Sequence, residues 1–296
     1  MSQPIVYFSS SITPETVIAL YERLGKPLNG KVAAKIHSGE KGNQNFIGPE
    51  MLFPIIEKLH ATIVETNTAY PGMRNNTKRH LALFQERGWN RMPFEILDAH
   101  RPDLALPVRN GLRLKENYVG NGIEHYDSMI VLSHFKGHPM GGFGGAIKQL
   151  SIGCASAHGK AYIHSAGASK SPIFCWTKHT PQDAFLESMV DAASSVMDYF
   201  AKKGGIVYIN IMKNLSVDCD CCEKAEDPCM KDIGILASLD PVALDEACLD
   251  LIRQSEDPGK EHFLERVSSR HGTHTIDMAV HQGLGSTNYT LVNIDE

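Results

Sequence analysis

The chain has 296 residues, 42% of them hydrophobic and 21% charged, which is enough apolar material for a sizeable core in an ordinary globular protein. A formal net charge of -5 argues against nucleic acid as a partner, and no basic amphipathic stretch or bilayer-length apolar run points to a membrane. Met1-Ser2-Gln3-Pro4 lacks the features of a secretory leader and the seven cysteines are odd in number and clustered, so reduced thiols in the cytoplasm are expected.

Short β-rich runs alternate with longer helical ones. Ile5 to Phe8 reads as a strand, and Thr13 with Pro14 opens a helix that ends near Gly25. Lys31 to His37 is a strand, Ser38 to Phe46 a Gly/Asn-rich loop, and Pro49 starts a helix through His60. Ala61 to Glu65 is a strand, and Asn75 to Arg87 a helix closed by Gly88. Leu104 to Val108 and Leu112 to Tyr118 flank Asn110-Gly111, a two-residue hairpin signal. Ser128 to Leu132 is a buried strand followed by a His/Gly-rich loop. Thr180-Pro181 caps a helix to Lys203, stopped by Gly204-Gly205. Strands follow at Ile206 to Ile211 and Ile233 to Ala237, then a helix from Asp240-Pro241 to about Gln254, and a last strand at Tyr289 to Ile294. This order predicts an α/β fold: a mostly parallel, Rossmann-like sheet with helices on both faces, plus a β-hairpin insertion. Residues 1–296 are taken as one domain, a split into lobes of about 1–125 and 126–296 being left open.

Four of the seven cysteines, Cys219, Cys221, Cys222 and Cys229, fall within eleven positions, in a loop between two predicted strands. Thiolates so crowded repel one another unless a cation lies between them, so the loop is a candidate metal site. The spacing is neither a zinc ribbon nor a ferredoxin run, which leaves both zinc and an iron–sulfur cluster open. Three cysteines with Asp218 or an external group are a further option. Cys154, Cys175 and Cys248 stand apart, Cys248 reading as a small buried hydrophobe.

Ser133 through Lys148 follows the buried strand at the end where open α/β sheets bind ligands. Gly141, Gly142, Gly144 and Gly145 would let backbone amides approach an anion, with Lys148 as complementary charge. His138 and His164, with His158 and Lys160 nearby, supply groups suited to acid–base work or metal ligation. Arg74, in the loop after the third strand, and Lys41, in the loop after the second, would face the same end and suit a small anionic or carboxylate ligand.

The motifs Lys35-Ile36-His37-Ser38-Gly39-Glu40, Thr66 to Arg74, Ser133 to Lys148, Gly153-Cys154-Ala155-Ser156, Asp218 to Cys221 and Asp232 to Asp245 together resemble the family called domain of unknown function 362, often labelled iron–sulfur-center proteins. The resemblance implies an iron–sulfur cluster rather than zinc on Cys219, Cys221, Cys222 and Cys229, with a redox partner or a cluster-handling role. Longer relatives carry a ferredoxin-type insert, whereas here Ser165 to Thr180 holds only Cys175. A more distant resemblance is to the nickel-pincer lactate racemases. His138, Lys148 ten positions on and His164 sixteen beyond that are similar to their cofactor and catalytic segment. That likeness implies His138 as acid/base, Lys148 as cofactor attachment or phosphate contact, and His164 as metal ligand. Their second opposed histidine has no counterpart, since the matching loop offers Tyr70 and Arg74. An enzyme and a non-catalytic metal carrier thus both remain readings of the sequence.

Overall fold

A computed structural model describes residues 3–173 and 179–295; Cys175 lies outside the described residues. In chain order its elements are β1 (Ile5–Ser9), α1 (Pro14–Arg23), β2 (Val32–Lys35), α2 (Pro49–Lys58), β3 (Thr62–Glu65), α3 (Thr77–Glu86) and β4 (Phe94–Ile96). Then come β5 (Leu104–Pro107), β6 (Glu116–Val119), β7 (Ser128–His134), β8 (Lys136–His138), β9 (Gly142–Gly144), α4 (Ala146–Cys154) and α5 (Ala157–His164). The rest are α6 (Gln182–Ala201), β10 (Ile206–Met212), β11 (Gly234–Ser238), α7 (Pro241–Gln254), α8 (Lys260–Ser269), α9 (His274–His281) and β12 (Thr290–Asn293).

Eight strands form one sheet in the order β12-β1-β11-β10-β7-β2-β3-β4, every neighbouring pair parallel except those that involve β11. The central strand β7 shows why both faces are covered. Met129 and Val131 pack into one cluster with α4, α6, α7, α8 and α9, whereas Ile130 and Leu132 pack into the other with α1, α2 and Phe84 of α3. Alternate side chains on a strand point to opposite faces, so an unbroken apolar run requires a layer on each side. The predicted α/β sheet with helices on both faces is the observed fold.

Two departures matter for the site. β5 and β6 pair as predicted, but the register Pro107↔Glu116 makes the connection an eight-residue loop, not a turn at Asn110-Gly111. The reason lies outside the hairpin: the buried Asp191 carboxylate of α6 accepts the Leu112, Arg113 and Leu114 amides at 2.9, 2.7 and 2.7 Å, drawing them from the ladder. The second departure follows β7, where the expected glycine loop is a short hairpin, β8–β9, leading into α4 and α5.

β11 runs antiparallel to β10, so residues 213–233 return without a crossover helix and stay at the carboxyl end of β10. That is also the carboxyl end of β2, β3 and β7. The cysteine loop therefore meets the loops that leave those strands.

Candidate functional site

β2 and β3 are apolar strands that end in charge. Lys35, fully buried, donates from Nζ to Glu65 Oε2 at 3.2 Å and to the Ile36 carbonyl. Glu65 Oε1 accepts the Ser38 amide at 2.7 Å and lies 3.6 Å from Arg74. Burial alone would raise the Glu65 carboxyl, but Lys35 and Arg74 hold it well below the usual range. Arg74 also reaches Glu40 at 3.3 Å and the Tyr70 hydroxyl at 2.8 Å. These pairs fix the floor of the site, since a charge at such depth is tolerated only with partners.

Asp220 ties the cysteine loop to β7 and β8. Its carboxylate meets His134 Nδ1 at 2.8 Å, Lys136 Nζ at 3.2 Å and His37 Nδ1 at 3.8 Å. Asn43 donates to the Cys219 and Cys222 carbonyls at 3.3 and 2.9 Å, so the loop after β2 braces the same segment. Gly137 permits the approach: a Cβ there would lie 2.3 Å from the Val217 carbonyl oxygen.

The result is one cavity of about 410 Å³ whose lining includes His138, Lys148, His164, Arg74 and Cys221. The histidine segment and the cysteine loop, far apart in sequence, thus share a wall. Three cations (Lys35, Arg74, Lys148) and the buried amine of Lys160 line it against a single lining carboxylate, Glu65, so the cavity favours an anion. Arg74 is already held by two carboxylates. Among the described residues Lys148 has no ion-pair partner, which leaves its ammonium to meet a ligand.

Burial, with Lys148 nearby, lowers His138 to about 4 and His164 to about 3, and burial with Arg74 lowers His37 to about 4, so these imidazoles are neutral at pH 7. His164 stacks on Phe185 with ring centroids 4.6 Å apart. His138 Nδ1 accepts the Met140 and Gly141 amides at 3.1 and 2.8 Å. The neutral ring therefore carries its proton on Nε2, which lies 4.0 Å from Cys221 Sγ.

The four predicted glycines do not line the cavity. The Gly141 amide is spent on His138, Gly142 and Gly144 bound β9, and Gly145 precedes α4, where a Cβ would lie 2.2 Å from Asp245 Oδ1. These residues permit a tight hairpin and a close helix start, in place of the expected contact with an anion.

Of the sulfurs, Cys219 and Cys221 meet His138, their ligand atoms all within 4.8 Å of one another. Hydrogen bonding with Cys219 pulls the Cys221 thiol down, but Cys222 and burial outweigh it and push it up to about 11. Cys222 is lowered by its bond with Cys221. Cys229 is turned away: its Sγ donates to the Leu215 carbonyl at 3.2 Å, and burial, with Glu226 and Asp257, raises its thiol. A cluster held by all four thiolates does not fit this arrangement, because one sulfur faces its own loop. Two thiols and an imidazole suit a single soft cation better, since zinc–sulfur bonds of about 2.3 Å place ligand atoms close to this spacing. Metal-bound histidine ordinarily donates from its second nitrogen. His138 accepts there instead, so Cys219 and Cys221 are the better-fitting donors.

Sequence reasoning gave no role to Lys35, His37 and Glu65, all of which line the cavity, and named Lys160 only as a neighbour of the histidines. A usable signal exists for two of them. A lone charge closing an apolar strand, as in Val32–Lys35 and Thr62–Glu65, has to find a buried partner.

Comparison with the curated proteins finds no match. Among solved structures the chain is similar to the lactate racemase apoprotein from Thermoanaerobacterium thermosaccharolyticum, at 14% identity and a TM-score of 0.42, over 69% of this chain and 50% of that one. It is also similar to a protein from Thermotoga maritima, at 14% identity and a TM-score of 0.44, over 86% of this chain and 58% of that one. The chain thus spans less than two thirds of either structure. The model of the family described as "Domain of unknown function (DUF362)" matches residues 32–250, most of the sheet and every lining residue of the cavity, and the chain belongs to that family.

Proposed function

We propose that this protein is an enzyme that binds a small carboxylate in the cavity and exchanges a proton at the carbon next to a carboxylate or carbonyl group. One observation carries the reading: His138, Lys148 and His164 line the same cationic cavity. Lys148 would hold the carboxylate, the neutral His164 imidazole would take the proton, and the His138 Nε2–H would donate to sulfur or to a ligand oxygen. The spacing likeness to nickel-pincer lactate racemases supports this class, since it gives Lys148 a cofactor contact and His164 a metal contact, and both side chains reach the cavity. A soft ion on Cys219 and Cys221 would supply Lewis acidity beside it.

The test is deuterium uptake from solvent into 2-hydroxy and 2-oxo acids, followed by proton NMR with anaerobically prepared protein. Uptake that His164→Ala abolishes is the expected result. Tight binding of such acids without any exchange would remove the catalytic reading.

The grouping of His138, Cys219 and Cys221 favours a second reading, a metal-handling protein without catalysis. Transfer of bound metal to an acceptor protein, with no exchange activity, would favour it over the first.

A further inference from the structure

Lys160 enters the cavity from α5 and is 7% exposed. Its Nζ donates to the Ala155 carbonyl at 2.6 Å and to Thr66 Oγ1. The Thr66 hydroxyl proton is itself spent on the Gly153 carbonyl at 3.0 Å, so Thr66 can only accept from the lysine. Two oxygen acceptors thus match the two N–H bonds of a neutral amine, and the lone pair has no protein partner. Among the described residues no carboxylate forms an ion pair with Lys160, in contrast to Lys35, which meets Glu65. Burial, reinforced by Lys35 and Arg74 against the pull of Asp98 and Glu65, lowers Lys160 to about 7.

We propose that Lys160 is a nucleophilic lysine that forms a Schiff base with the carbonyl group of a small 2-oxo acid bound in this cavity. The inference rests on the proposed carboxylate site and narrows its ligand to carbonyl compounds. The imidazoles would serve as bases in the cavity, whereas imine formation needs a primary amine, which can give up both N–H hydrogens as water as an imidazole cannot. The cationic lining would hold the carboxylate, and Lys160 would meet the adjacent carbonyl. The amine nitrogen adds to that carbon, and the oxygen then leaves as water with both amine hydrogens. A proton on the resulting imine restores one N–H, which the Ala155 carbonyl can accept. The protonated imine draws electrons from the neighbouring carbon and makes its hydrogen easier to remove.

The experiment treats the full chain with pyruvate or 2-oxobutyrate and sodium borohydride, which reduces the imine to a stable secondary amine. Intact mass and peptide mapping should find the mass of one oxo acid less one oxygen atom, on Lys160. Mapping the adduct in the wild-type chain makes the result independent of how a variant folds. Lys160→Arg should lose the adduct yet still bind the acid by ligand-observed NMR. An adduct on other lysines only, or binding with no adduct, overturns the Schiff base and leaves the carboxylate site standing. Absence of binding as well as adduct overturns both, so the two failures are told apart.

Discussion

The Asp245 carboxylate of α7 accepts the backbone amide of Ala146, the first residue of α4, at 2.7 Å. Asn210 of β10 donates to the same oxygen, Oδ1, at 2.7 Å, and the other oxygen takes the Ile147 amide at 3.0 Å. A carboxylate from a distant helix thus does what a local N-cap residue ordinarily does, because Gly145 has no side chain to do it. Lys148 lies on the first turn of that helix, so Asp245 sets where its ammonium enters the cavity.

Asp245→Ala should therefore lower stability by about 1–3 kcal/mol, the cost of a lost cap and of buried amides left without acceptors. Urea unfolding measures it. A change below about 0.5 kcal/mol, the range of an ordinary surface substitution, would show that α4 does not depend on this anchor.

Lys148→Ala should weaken the binding of a small carboxylate about tenfold, since one charge-assisted contact contributes roughly 1.5 kcal/mol. Titration by NMR with lactate or pyruvate reads the change directly. Unaltered affinity would mean that the anion is held elsewhere on the wall.

Zinc retained by the wild-type chain after dialysis should be lost in Cys221→Ser and kept in Cys229→Ser, because only the first sulfur belongs to the group with Cys219 and His138. Elemental analysis of the three proteins decides it. Loss in both variants would mean that Cys229 swings in and that all four thiolates act together.

Lys160 also carries a signature in stability. Burial, with Lys35 of β2 and Arg74 adding to it and Asp98 and Glu65 opposing, takes this amine from an ordinary 10.5 to about 7. Between those values the native chain has released a proton that the unfolded chain still holds, so this group's contribution to stability rises as pH increases from about 7 towards 10.5. Urea unfolding at pH 7 and pH 9 should show the rise in wild type and less of it in Lys160→Met. Equal slopes would place the ammonium in contact with water.

The hairpin shows how far local pattern reaches. Alternation over Leu104 to Val108 and up to Tyr118 was enough to pair β5 with β6, but the turn signal at Asn110-Gly111 lost to Asp191, which is distant in sequence and claims three amides. The glycines after β7 misled for a related reason. Their freedom is used for a hairpin and a helix start, and sequence does not say whether a close approach is to a ligand or to the protein's own Asp245.

Most strands, the helices α1, α2, α3, α6 and α7, the coverage of both sheet faces and the concentration of sulfur between Cys219 and Cys229 were legible along the chain, because each depends on backbone periodicity or on neighbours in sequence, whereas α4, α5, α8 and α9 were not read. The meeting of His138, Lys148 and His164 with Cys221, the separation of Cys229 and the burial of Lys35 against Glu65 were decided only by tertiary structure. The reason is the sheet order. With β11 reversed beside β10, the cysteine loop comes back over the ends of β2, β3 and β7, and charges far apart in sequence must there neutralise one another away from water.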